Sequence, residues 1–507
     1  MRRPVFALAA AALAALFTQA AAPQAGAQEP GRGGTLKVAL GSTLSRLDPA
    51  LTSSGDEYVY VHLVFNGLTR IDRDMTIKPD LAESWSASAD RRTWTFRLRS
   101  GVTFQNGHRL DADDVVASMT RIVDPRTGSR VRSDLDMVTR VETLDPRTVR
   151  FTLSIPVAGF ADILADRQFA IVPRDRLAAL ATAPVGTGPF VMRKWVAGNR
   201  MELARNPAYF EKGLPRLDGV ELRIIPELAA RQAALESGAI DILWNLPAGS
   251  AAQYGASTAV RVDSVPTPGW DGVILNNAIK PFNDVRVRQA LAASIDKDAL
   301  VELVLAGQGA PTHSPIPPGH PYYDSKLGYP APDIARARRL LAEAGYPNGI
   351  DLTMQVPQER EQRVRLGLAV RDMVRAAGFR LTVERVKLAS YTARVSGRQP
   401  IYVDGYFARP GIDSAVYPFF HSAGSWNSHL WHYDNARVDE LLELARRTAD
   451  EASRADLFRE YQAIMEQTVP GIIAYAAPHM NGVRRTVQNF RSTPMAWLDL
   501  KEVWLAR

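Results

Sequence analysis

The sequence predicts an alternating α/β protein built from several folding units, and three observations lead there. The chain has 507 residues, enough for about three domains at roughly 100–200 residues each. Short alternating strands recur in its first half, at Thr35 to Leu40, Thr93 to Leu98 and Thr148 to Leu153. Two helix–glycine–aromatic–strand units follow one another in its second half. Leu340 to Tyr346 feeds a strand near Asp351 to Val356, and Met373 to Phe379 feeds Leu381 to Glu384.

Taken in order, the chain opens on a positive head, Met1-Arg2-Arg3, followed by an almost wholly apolar run from Pro4 to Ala22. The uninterrupted part, Val5 to Phe17, spans only ~20 Å as a helix against ~30 Å for a bilayer core. Ala25-Gly26-Ala27 then gives a small-x-small cleavage pattern, so residues 1–27 are expected to be a secretory signal peptide ending before Gln28. A buried Ala-rich helix or a membrane anchor is the other reading of the same run. Residues 28–34 read as a flexible leader into the first strand. Leu110 to Ile122 has helical spacing, with Asp111 as N-cap and Asp114 three residues on. Arg231 to Ser237 reads as a helix closed by Gly238, and Asn283 to Ile295 as another. Val438 to Thr448 and Glu451 to Gln467 are amphipathic helices stopped by Pro470, and Ile472 to Ala476 is a closing strand. Pro266-Thr267-Pro268 and Ala477-Pro478 mark two joints. They read equally well as two hinge crossings, one outward and one back, or as two ordinary surface loops.

Composition narrows the function. Hydrophobic residues are 46% and charged residues 23%, which excludes a mainly disordered chain. There is no cysteine, which excludes disulfides, cysteine metal sites, a thiol nucleophile and a lipid-anchored amino terminus. With 61 basic against 54 acidic residues the charge is +7, or about +5 without Arg2 and Arg3, and no long basic block favours nucleic acid. An exported chain with no cysteine to acylate needs an outer membrane to retain it, so the periplasm of a Gram-negative cell is expected.

The catalytic and nucleotide-binding motifs G-x-S-x-G, H-E-x-x-H and the P-loop do not occur. Gly186-Thr187-Gly188 precedes Pro189, which lacks the N–H of a phosphate cradle, and reads as a turn. Asp113-Asp114 are adjacent on a helix and point ~100° apart, so they do not form a glycosidase pair. His421, His429 and His432 are the densest histidine group; His429 and His432 have the spacing of one helix face, and a metal there needs a third ligand.

Several segments together resemble the extracytoplasmic solute-binding proteins of ABC importers, in the dipeptide, oligopeptide and nickel-complex family (family 5). The first is Leu81-Ala82-Glu83-Ser84-Trp85-Ser86, Thr93 to Arg99, Gly101-Val102-Thr103-Phe104-Gln105-Asn106-Gly107 and Asp111-Ala112-Asp113-Asp114-Val115. The second is Gly186 to Phe190, Trp195 and Arg205-Asn206-Pro207-Ala208-Tyr209. The third is Asn276-Asn277, Pro281 to Leu291, Ile295-Asp296-Lys297 and Gly307; Ala335 to Pro347 and Asp450 to Pro470 complete the order. The resemblance implies a two-lobed periplasmic binding protein (class II, cluster C) that closes on its ligand, with an extra subdomain in the first lobe. Lobe I would be 28–268 and 477–507, with the subdomain at about 70–182, and lobe II would be 269–476. It implies a monomer with no cofactor and no reaction of its own, which delivers a peptide or peptide-like solute to separate permease and ATPase subunits. Trp85, Trp94 and Phe104 are expected in the subdomain core.

Peptide binders of the family resemble one another in a lobe II loop where an acid three residues after an aromatic takes the peptide ammonium. Here, with Tyr406 in the aromatic place, Arg409 stands in the acid's place, a charge reversal that favours a carboxylate or phosphate. The alternative is that Arg409 pairs internally with Asp404 or Asp413. Further ligand-binding candidates are Asp413, Tyr406, Trp270, Trp426 and Asn427 in lobe II, and Thr43 and Ser45 in a lobe I loop. Other readings stay open: a carrier of a nickel chelate or haem using His429, His432 or Met residues, a secreted hydrolase, and a solute sensor without transport.

Overall fold

The computed structural model describes residues 31–506. The expected signal peptide, residues 1–27, lies outside the described residues. No helix among the described residues is long and apolar enough to cross a membrane.

Two large mixed sheets carry the fold. The first has seven strands, in the order Val260–Val265, His479–Arg484, Ile242–Leu243, Thr35–Leu40, Gly219–Ile224, Arg200–Arg205 and Phe190–Val196. Thr35–Leu40 runs at its centre, parallel to Gly219–Ile224 on one side and to Ile242–Leu243 on the other. That position requires apolar side chains, and Leu36, Val38, Ala39 and Leu40 are fully buried. The second sheet has six strands, in the order Ala310–Pro311, Gly471–Ala476, Trp270–Leu275, Ile401–Tyr406, Ile350–Pro357 and Phe379–Val386. Its pair Ile350–Pro357 and Phe379–Val386 is parallel, each strand entered from a helix. Gly345 and Gly378 lie at φ +95° and +106° behind those helices, a left-handed backbone in which glycine meets no Cβ penalty. The chain leaves the first sheet after Val265 and enters the second at Trp270; it leaves the second after Ala476 and re-enters the first at His479.

A third, antiparallel sheet of four strands, in the order Ala82–Ala87, Thr93–Leu98, Thr148–Leu153 and Val138–Asp145, packs with the helix Ala112–Val123. Trp94, Phe96 and Phe104 are buried in its core and Trp85 packs against it half-buried. The helix starts one residue past the Asp111 cap. Asp111 accepts from the Asp113 and Asp114 amides while the Asp114 side chain accepts from the Asp111 amide, a full capping box. Gly186 and Gly188 make a turn that lies flat on the end of another helix; a Cβ on either would fall within 2.1 or 2.5 Å of Val64 backbone atoms.

The structure adjusts several expected elements. The helix expected over 283–295 is Val285–Ala292, capped by Asp284, and the one expected from Arg231 begins at Leu228. Helices not expected from the sequence include Gly55–Val64, buried on all sides, Lys297–Leu305, Leu388–Arg394, and Ile412–Phe420, rich in aromatics and carrying Pro418. Gly55–Val64 has no polar face and so shows no 3.6-residue period. His429 closes a short 3-10 turn and His432 stands beyond it at φ +47°, so the two do not share a helix face.

Candidate functional site

A cavity of about 530 Å³ lies between the two lobes. One wall is the loop from Gly41 to Ser45 with the start of the helix Gly55–Val64, both from the first lobe. The facing wall is Glu359 to Arg363, Leu388 to Ser396 and Asp404 to Arg409 from the second, and Arg130 and Arg167 close one end.

The first wall is rigid because its polar groups satisfy one another. Ser54 caps the helix Gly55–Val64, and Glu57 accepts from the Ser45 hydroxyl (2.7 Å) and from the Arg46, Ser53 and Ser54 amides. Asp56 accepts from the Gly41 and Ser42 amides and pairs with Arg360 across the cleft. Thr43 Oγ1 accepts from the Gly198 amide at 3.0 Å. Thr43 and Ser45 thus line the cavity, but both hydroxyls are already engaged in holding the loop.

The second wall is positive. Seven arginines line the cavity against three acids, Glu57, Glu359 and Asp404. Arg363 is neutralised within its own lobe, donating to Asp271 (2.8 Å), Asp404 (2.7 Å) and the Gly405 carbonyl (2.6 Å). Arg409 pairs with neither Asp404 nor Asp413. Its Nη1 donates across the cleft to Asp166 Oδ2 (2.8 Å) and Gln168 Oε1 (3.2 Å). Its Nε and Nη2 are buried with no partner, as is the Tyr58 hydroxyl on the opposite wall. Burial opposes the Arg409 charge, but Asp166 with Tyr58 and Asp134 outweighs it and lifts its pKa above the ordinary guanidinium range. Burial also raises the Tyr58 phenol, which therefore stays a donor at neutral pH.

Arg130 was missed by sequence reasoning. Its guanidinium makes no hydrogen bond or ion pair among the described residues and sits 4.9 Å over the Trp426 ring. Arg409 lies 5.6 Å from the same ring and 5.7 Å from Phe419. Trp426 is therefore a platform under two cavity arginines and is fully buried. It stacks on Phe419 at 5.8 Å and meets the Tyr406 edge at 4.7 Å. Tyr406 lines the cavity; Trp270, its partner in the sheet, lines a smaller adjoining cavity together with Thr267, Ala477 and Pro478.

Trp426, Asp413 and Asn427 all fall outside both cavities. Asp413 binds Arg454 at 2.7 Å, and Asn427 holds its own loop through the His421 and Tyr433 carbonyls and the Tyr433 amide. His429 lines the cavity with Nδ1 against the Ser425 carbonyl (2.7 Å), while His432 Nε2 meets the Gly397 carbonyl. Among the described residues the only His/Asp/Glu cluster compact enough for an ion is His108, Asp111 and Asp114, and Arg174 already pairs with both acids there. Arg130, Tyr58 and Asp166 carried no sequence signal, because each acts through a neighbour distant in the chain.

Comparison with known proteins gives one consistent picture. The model of the bacterial extracellular solute-binding proteins, family 5, matches residues 76–427. The glutathione-binding protein GsiB of Shigella dysenteriae is 29% identical over 449 residues, 86% of this chain and 87% of that protein. AgaA from A. tumefacien, solved in complex with agropinic acid, superposes with a TM-score of 0.87 at 27% identity over 94% of this chain and 99% of that one. The ABC transporter-associated periplasmic binding protein DppA from Helicobacter pylori, in complex with peptide STSA, gives 0.88 at 25% identity over 94% and 99%.

Proposed function

The chain belongs to the bacterial extracellular solute-binding proteins of family 5, the solute-binding components of ABC importers, and from that premise we propose that it captures a small anionic, peptide-like solute between its lobes. The observation that carries this reading is a set of unpartnered buried donors on residues that line the cavity: Arg409 Nε and Nη2 and the Tyr58 hydroxyl, with Arg130, unpaired among the described residues, beside them. A buried donor without an acceptor costs about 1–3 kcal/mol, and a carboxylate placed among these groups relieves that cost. A peptide ammonium in the same place meets the two guanidinium groups of Arg409 and Arg130. The relatives support the same chemistry, since glutathione and agropinic acid are both acidic solutes.

In this reading lobe I is 28–268 with 477–507, its subdomain is about 70–182, and lobe II is 269–476. The changes of sheet after Val265 and Ala476 support the division. Arg409, Tyr406, Tyr58 and Arg130 contact the solute, Thr43 and Ser45 shape the opposite wall, and Trp270 closes the hinge end. Asp413, Trp426 and Asn427 support the wall from behind. The chain works as a monomer in the periplasm of a Gram-negative cell after removal of residues 1–27, and releases its solute unaltered to the permease.

Calorimetric titration of the purified protein with glutathione, glutathione diethyl ester and a neutral dipeptide amide tests the charge preference. Binding of glutathione and not of the ester or the amide is expected. Binding of the uncharged or cationic compounds in preference to the acid, or conversion of any of them to product, overturns the reading.

A further inference from the structure

We propose that residues 130–136 of the extra subdomain form a latch that lobe II grips as the cleft shuts, strong enough to populate the closed form without solute. The segment follows the helix Ala112–Val123 and includes the 3-10 turn Arg132–Leu135, over which the lobe II helix Ile412–Phe420 packs. Ser425 donates its hydroxyl to the Arg130 carbonyl, and its amide donates to Ser133 Oγ at 3.3 Å; the two serine hydroxyls meet at 2.9 Å. Asp136 accepts from the Tyr417 hydroxyl at 3.0 Å and from Arg446 Nη1 at 3.1 Å. Arg446 lies flat on the Tyr417 ring at 3.9 Å. At the inner edge of the same seam Arg167 Nη2 donates to the Ala408 carbonyl at 2.9 Å.

Ser133, Asp136, Tyr417, Ser425 and Arg446 do not line the cavity. Their bonds join subdomain to lobe II directly and touch no solute. Contacts present only in the closed form shift the equilibrium toward it by their own free energy, whatever fills the cleft. The subdomain thereby gains a function beyond enlarging the first lobe. It is a second jaw that meets lobe II, beside the Asp56–Arg360 pair, and its grip slows solute release.

Because the chain has no cysteine, a dye pair is placed uniquely by Ala89→Cys on an exposed subdomain turn and Ala452→Cys on an exposed lobe II helix. Single-molecule energy transfer is read on protein stripped of solute by reversible unfolding. The parent pair is expected to show a resolved closed population. Ser425→Ala and Arg446→Gln are each expected to lower the closed-to-open ratio about fivefold or more, with unchanged circular dichroism. A fall in either folded variant supports the latch. A wholly open parent, or unchanged ratios in both variants, overturns it. No solute enters the measurement, so its outcome is separate from that of the anion preference.

Discussion

Arg409 and Arg130 rest on the same tryptophan but are held by different forces, and their substitutions separate binding from stability. Arg409 is 3% exposed and its partner Asp166 is fully buried, so Arg409→Gln leaves that carboxylate with only the longer 3.8 Å contact to Arg167, at a cost of about 1–3 kcal/mol. Both solute affinity and the thermal midpoint are expected to fall. Asp166→Asn added to it is expected to restore much of the midpoint and none of the affinity. Arg130 has no bonded partner, so Arg130→Gln is expected to raise the dissociation constant for glutathione about tenfold while calorimetric unfolding stays where it was. Loss of affinity in neither variant would remove the anion site.

At the scale of elements, the helix Ala112–Val123 depends on its first turn. Asp111 caps two amides and also binds Arg174. Asp111→Ala is expected to lower stability by about 1 kcal/mol from the cap, read as a shift in the urea midpoint. Gly186→Ala places a methyl 2.1 Å from the Val64 carbonyl oxygen, which backbone must move to accommodate. A loss of about 1–3 kcal/mol is expected, and an unchanged midpoint would contradict the close packing described.

Across the whole molecule, two carboxyl groups stand at the seam between subdomain and lobe II, Asp134 buried and Asp162 half-buried. Burial pushes Asp134 up to about 8; Arg409 and Arg446 oppose the rise, and Asp166 and Asp136 add to it. Burial, with Asp413 nearby and Arg454 opposing, raises Asp162 to about 6. In an open form both carboxyls meet water and return to their ordinary range near 4. An acid whose pKa is higher in the closed form binds more protons when closed, so closure is strongest below about pH 4. It weakens as pH rises, through about 6 for Asp162 and about 8 for Asp134, and then levels off. Solute affinity is expected to fall between pH 5 and pH 8, and Asp134→Asn to flatten the upper part of that profile. A pH-independent dissociation constant in the parent protein would rule out protonation at the seam.

The local code of this chain was legible from its residues alone. The capping box at Asp111 and the glycine stops at Gly238, Gly345 and Gly378 depend on neighbours a few positions away, and period and cap chemistry report such neighbours directly. The ordered segments that carry the family resemblance are equally a property of the linear chain, and so is the reversal of charge at Arg409. What the tertiary structure alone decided is which charges remain available. By its sequence Arg409 either faces the solute or pairs with Asp404 or Asp413, a few residues away, yet its acid is Asp166, 243 positions distant, while Arg363 takes Asp404 and Arg454 takes Asp413. Arg130 gave no signal because being unpaired is a property of its surroundings and not of its neighbours in sequence. Ion pairing falls off within a few ångströms, and folding brings residues from both lobes into that range in an order the linear chain does not encode.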